Sequence, residues 1–108
     1  MKVKQEVQEL LDKKAKEAIN RLPESFDSHD FIQMLIKVDE KGYVKTLHGF
    51  VTSSNGIFRS FHSQIGIYLS SERDNLNIES KGKVSSENIK DYFSDNEKWI
   101  KKYSQITH

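Results

Sequence analysis

Apolar residues recur along this chain in short bursts, and their spacing changes character as the chain proceeds. Val3, Val7, Leu10, Leu11, Ala15, Ala18, Ile19 and Leu22 step by three and four. Positions spaced in that way share one face of an α-helix, which predicts an amphipathic helix of about five turns over residues 1–22. Glu and Lys alternate on its other face and supply i,i+4 pairs. Pro23 should end it, because the residue before a proline is pushed out of helical geometry. Such a helix packs on its own domain or, as the sharper alternative, pairs with a second copy.

A second helix is predicted in "ESFDSHDFIQMLIKV", where Phe31, Met34, Leu35 and Val38 share a face that Ile32 and Ile36 widen. Asp27 or Ser28 can cap it, since a short side-chain oxygen satisfies the free N–H groups of a first turn. "DEKGY" breaks the pattern at Gly42. The shorter set Tyr43, Val44, Leu47, Phe50 and Val51 fits helical spacing, but its β-branched and aromatic content leaves a strand open. After the turn "TSSNG", helical spacing returns with Ile57, Phe58, Phe61, Ile65, Tyr68 and Leu69. Asn55 or Ser54 can cap this helix, expected over 55–71. Its other face carries Arg59, His62, Ser63, Gly66 and Ser70.

Then the period shortens. Leu76 and Ile78 alternate with Asn77 and Glu79, "KGK" offers a reversal and Val84 begins a return, so a β-hairpin is predicted near 76–89 with Lys81 and Lys83 at its tip. In "SDNEKWIKKYSQI", Ser94 and Glu97 stand as a capping box before Trp99, Ile100 and Tyr103, which predicts a closing helix over 94–105. Phe31, Leu35, Phe58, Phe61, Ile65, Leu69 and Trp99 are the expected core.

Charge adds one feature. The net charge is +1, which points to no partner class, yet no acidic residue falls between Glu40 and Glu72. All 16 Asp+Glu lie outside that window, while Lys41, Lys45 and Arg59 lie inside it. Phosphate repels carboxylates, so a face cleared of them suits contact with a polyanion. A buried helix sheds charge as well, and Gly66 either permits close approach of a ligand or lets another helix pack. Lys81 and Lys83 read equally as phosphate contacts and as lysines guarding a strand edge.

Composition excludes several chemistries. With 108 residues the chain is most simply one domain, and with no cysteine it has no disulfide, thiolate nucleophile or Cys-ligated zinc. That usage fits a reducing cytoplasm. The start "MKVKQEVQELLDKK" lacks a signal-peptide core, and no apolar run approaches a membrane span, so a cytoplasmic protein with no membrane partner is expected. His29, His48, His62 and His108 show no metal-ligand spacing, so no metal and no cofactor are expected. Asp27, His29 and Asp30 read as a helix start. No G-x-S-x-G elbow is present and "SKGKVSS" is not a P-loop, so no catalytic residues are assigned and no enzyme is expected.

From Ser28 the order is helix, short helix, turn, helix, hairpin. Over about residues 28–90 this resembles the winged helix-turn-helix fold, by element order and not by a signature motif. The resemblance implies a mainly α, winged-helix-like domain with a small β-hairpin, an extra N-terminal helix and a C-terminal helix. It makes 55–71 the recognition helix, which enters the major groove, and "ESKGKVSS" the wing on the flanking backbone. The stretches "SHDFI", "HSQIG" and "GKVSSENI" are similar to small bacterial proteins of unassigned function. The expectation is a non-enzymatic module that binds duplex DNA, regulatory or accessory, through Arg59, His62, Ser63 and Gln64 on the helix and Lys81 and Lys83 on the wing. The alternatives are a protein-interaction module, or a homodimer joined through the N-terminal helix.

Overall fold

The computed structural model describes residues 3–102. The first helix, α1, spans Gln5–Arg21 and buries Val7, Leu10, Leu11, Ala15, Ala18 and Ile19, the stripe its spacing predicts. Leu22 and Pro23 end it with extended backbone at Leu22. A three-residue strand follows, β1 (Ser25–Asp27), which no local pattern announces. It places Phe26, fully buried, between the helices and the sheet.

Helix α2 (Ser28–Val38) opens on a capping box. The Asp30 backbone N–H donates to Asp27 Oδ1 at 2.8 Å, and the Asp27 N–H donates back to Asp30 Oδ2 at 3.0 Å. Helix α3 (Glu40–His48) resolves the ambiguous segment in favour of helix. The break before it is Asp39, not Gly42. The Asp39 carboxylate caps α3 by accepting from the Gly42 N–H at 3.0 Å. Gly42 is small because a β-carbon there would collide with that carboxylate and touch Leu10. Turns through residue 56 bring Phe50 back into the core.

Helix α4 (Ile57–Ser71) occupies the expected place but starts from Gly56, whose φ of 98° suits glycine, with no side-chain cap from Asn55 or Ser54. A four-residue helix, α5 (Arg73–Leu76), leads through left-handed Asn77 into the hairpin of β2 (Ile78–Glu87) and β3 (Phe93–Lys101). The three strands form one antiparallel sheet in the order β1-β3-β2. Among the described residues the domain is therefore mixed, with five helices and a small sheet.

The hairpin and the last element differ from their sequence expectations. "KGK" does not reverse the chain. Strand β2 runs through it, and the register slips between Ser80 and Lys83, where Gly82 at φ 98° takes up the extra residue as a bulge. The reversal comes at residues 88–92. There Asn88 Oδ1 accepts from the N–H groups of Lys90 and Tyr92, and the Asn88 N–H donates to the Tyr92 carbonyl. The helix expected over 94–105 is strand as far as Lys101 and irregular at Lys102, and residues 103–105 of that expectation lie outside the described residues. Ser25 pairs with Ile100 and Phe26 with Trp99, so a distant strand satisfies backbone groups that a helix would have satisfied locally. Ser94 and Glu97 do not cap. Ser94 lies against His29 and Asn88, and the Ser80 hydroxyl donates to Glu97.

The core lies between α1, α2, α4 and the sheet. Phe31, Leu35, Phe61, Ile65, Leu69 and Trp99 are buried as their spacing implies. Phe58 is not: it is half-buried and lines a surface cleft.

Candidate functional site

One face of α4 stays clear of the core. Arg59, Ser63, Gly66 and Ser70 follow one another by four, three and four residues, a step that keeps them on one line of the helix. This line forms one wall of an open cleft of about 1030 Å³. The hairpin forms the other wall, through Ser80, Lys83, Asn96 and Glu97. The start of α2 and the edge of Trp99 make the floor, and Ile89, Lys90 and Tyr92 of the hairpin turn close the far end.

Polar contacts tie the hairpin wall to the start of α2. Trp99 Nε1 donates to Ser28 Oγ at 3.0 Å in the buried floor. The His29 backbone N–H donates to Asn96 Oδ1 at 3.1 Å. The His29 ring lies 2.8 Å from Ser86 Oγ through Nδ1 and 3.3 Å from Ser94 Oγ through Nε2. Asn96 Nδ2 donates to the same Ser86 hydroxyl at 3.1 Å. The first turn of α2 thus fastens the outer part of the hairpin.

His62 sits in the helix wall, with Nε2 2.6 Å from the Tyr43 hydroxyl. Burial, with nearby His29 as the lesser cause, pulls its pKa down to about 4, so the ring is neutral at neutral pH. Burial pushes Tyr43 up to about 12, and its hydroxyl keeps its proton. With both groups neutral, the arrangement in which the Tyr43 O–H donates to Nε2 leaves the ring proton on Nδ1. In that tautomer His62 carries a neutral N–H donor.

Arg59, His62, Ser63 and Lys83 come together around the cleft. Gln64 and Lys81 stand outside it. Gln64 Oε1 accepts from the Lys4 backbone N–H at 2.7 Å and so ties α4 to the start of α1. Lys81, displaced by the bulge, pairs with Glu79 at 3.0 Å on the exposed strand. Gly66 is not a helix-packing glycine, since a β-carbon there would meet nothing within 4 Å.

The cleft also contains Ser70, Arg73, His29, Asn96 and Lys90, none of which the sequence reading selects for this role. Arg73 carried a signal. It continues the line Arg59, Ser63, Gly66, Ser70 by one further step of three, beyond the end of α4. Its Nη1 donates to the Ser70 carbonyl at 2.7 Å, which holds the guanidinium beside that line. Lys90, His29 and Asn96 arrive through tertiary pairing and carried none.

The helix wall bears Arg59 and Arg73 and no carboxylate, whereas the hairpin wall mixes Lys83 and Lys90 with Asp95 and Glu97. Among the described residues no group of three or more His, Asp or Glu could hold a metal ion, and no helix is long and apolar enough to cross a membrane. Comparison with family models, curated proteins and solved structures returns no match.

Proposed function

We propose that this domain binds duplex DNA as a winged-helix-like module, with α4 as the helix presented to the major groove and the β2–β3 hairpin as its wing. The reading rests chiefly on one observation: the exposed line of α4, free of carboxylates, starts at Arg59 and is continued past the helix end by Arg73 of α5, and it stands with Lys83 and Lys90 around an open cleft. The order of short helix α3, turn, α4 and hairpin adds support. A helix of this length extends roughly 22 Å, enough to lie in a major groove about 12 Å wide. Arginines hold phosphate by paired hydrogen bonds, while Ser63, Ser70 and neutral His62 donate to phosphate or base edges without adding charge. The contact set is Arg59, His62, Ser63, Ser70 and Arg73 on the helix side and Lys83 and Lys90 on the hairpin.

The test is a mobility-shift assay with a 30-base-pair random duplex over a salt series. Arg59→Glu should weaken binding about tenfold or more, since a good contact contributes about 1–3 kcal/mol. Lys83→Ala should lower the slope of log affinity against log salt by about 0.9. Lys81→Ala should change little, because Glu79 already engages that lysine. A wild-type protein that leaves the duplex free at 50 mM salt would end the DNA reading.

A second reading, a protein-interaction module, draws support from Val44 and Val51. Each is 55% exposed, and neither lines the cleft. Loss of a protein partner on Val44→Ser, with DNA affinity unchanged, would favour it.

A further inference from the structure

Asn55 and Gly56 end the turn that leads into α4, and both are exposed. The Asn55 backbone N–H reaches Ser53 Oγ at 3.4 Å, and its side-chain amide has no hydrogen-bond partner among the described residues. The Gly56 N–H makes one long bond, 3.3 Å to the Ser53 carbonyl. Gly56 has φ 98°, and a β-carbon there would meet nothing within 4 Å, so its backbone stands in open space. Lacking a side chain, it lets its nitrogen approach the side-chain carbonyl of the residue before it. The other asparagines lack these conditions. Each is followed by a bulkier residue, and the Asn75, Asn88 and Asn96 side chains are held in hydrogen bonds.

We propose that Asn55 is a site of spontaneous deamidation, and that the carboxylate formed there weakens polyanion binding by α4. The Gly56 nitrogen, giving up its proton to hydroxide, attacks Asn55 Cγ. The bond from Cγ to Nδ2 breaks, and the amide nitrogen leaves as ammonia with a proton taken from water. Water then opens the cyclic imide. Attack at Cγ gives aspartate; attack at the main-chain carbonyl gives isoaspartate, with one extra methylene in the backbone. The net change is amide plus water to carboxylate plus ammonium, with nothing oxidised or reduced. The exposed turn admits that water and absorbs the added length. The effect on binding rests on the DNA reading above. The product places a negative charge in the window between Glu40 and Glu72 that has none, four residues ahead of Arg59. It also stands beside the start of α4, whose first turn has no acidic residue and no side-chain cap. The free N–H groups and the dipole there favour a carboxylate. The folded domain therefore tolerates the charge, whereas a phosphate strand at Arg59 is repelled by it.

The experiment ages the full chain in warm, mildly alkaline buffer and maps its peptides by mass spectrometry, with Asn55→Gln as the control. The wild-type peptide carrying Asn55 should gain the mass of an amide-to-acid exchange and become a substrate for an isoaspartyl methyltransferase. The peptides carrying Asn88 and Asn96, and the control, should not. Retention of the Asn55 amide, or conversion no faster than at Asn88, overturns the modification site. Asn55→Asp supplies the charge on an intact backbone. It should bind the same 30-base-pair duplex about threefold or more weakly than wild type, with the gap closing as salt rises. Its melting temperature should equal or exceed that of wild type. Equal affinity, or a lowered melting temperature, overturns the effect on binding. If wild type leaves the duplex free, the DNA reading and the effect on binding fall together, while the peptide map still decides the modification.

Discussion

Phe58 and Phe61 lie less than one turn apart on the same helix, yet they meet different surroundings. Phe61 is fully buried, with Phe50 stacked at 5.3 Å between ring centroids and Tyr43 tilted at 5.1 Å. Phe58 lies on the cleft side beside His62. Truncation should separate them. Phe61→Ala removes a close-packed ring and should cost about 3–5 kcal/mol. Phe58→Ala opens onto solvent and should cost about a third of that or less, as urea melts of the two variants would measure. His62 supplies a pH dependence of definite sign. Unfolded, its imidazole takes a proton near pH 6.5; folded, only near pH 4. Between those values the unfolded chain binds more protons, so stability falls as pH falls through the window. The part of the stability tied to a neutral His62 is complete above about pH 6.5, is gone below about pH 4, and amounts to about 3 kcal/mol. Melting temperatures from pH 7 to 4 should fall less steeply in His62→Gln, which accepts from Tyr43 without titrating.

Helix α4 combines two demands that one substitution can pull apart. Gly66 sits inside the helix with open space where a side chain would go. Alanine stabilises a helix interior relative to glycine by about 0.5–1 kcal/mol. Gly66→Ala should therefore raise the melting temperature by a few degrees. If a ligand approaches that backbone closely, the same change should weaken its binding, and the two effects are read from one preparation. The helices themselves were legible in the sequence because each closes its hydrogen bonds within its own segment. A stripe such as Val7, Leu11, Ala15, Ala18 therefore carries the information locally. Strands do not work that way. Residues 94–101 carry Trp99 and Ile100 at a spacing either structure would accept, and only pairing with Ser25 and Phe26 decides between them. The same holds for the turn. Gly82 and Asn88 are both turn formers, and the ladder assigns one to a bulge and the other to the reversal. The site shows this division too. Arg59, His62 and Ser63 were readable as one helix face, whereas Lys90 and Asn96 join them only once β3 is a strand. Gln64, next in sequence to Ser63, points to another side of α4, where it accepts from the Lys4 N–H.

At the scale of the whole molecule, long-range ties hold the sheet to the helices. Strand β1 pairs with β3, the Lys101 N–H donates to the Glu24 carbonyl at 2.9 Å, and Lys101 Nζ donates to the Leu22 carbonyl at 2.7 Å. The turn between α1 and β1 is thus gripped by the far end of the last strand. The cleft depends on that closure, because its floor is the contact of Ser28 with Trp99 and its second wall is the β2–β3 hairpin. This arrangement has a consequence for the order of events during synthesis. The helices α1, α2 and α4 leave the ribosome early and can collapse on one another, but Phe26 then has one side open to water. The sheet cannot close until the chain has been extended through residue 101, and loop-closure entropy must be met before its contacts form. Until then the nascent domain exposes apolar surface that the sheet, through Ile78 and Trp99, later covers. That interval, between the making of the helices and the arrival of Trp99, is when the chain is most open to capture by a chaperone or by another copy of itself.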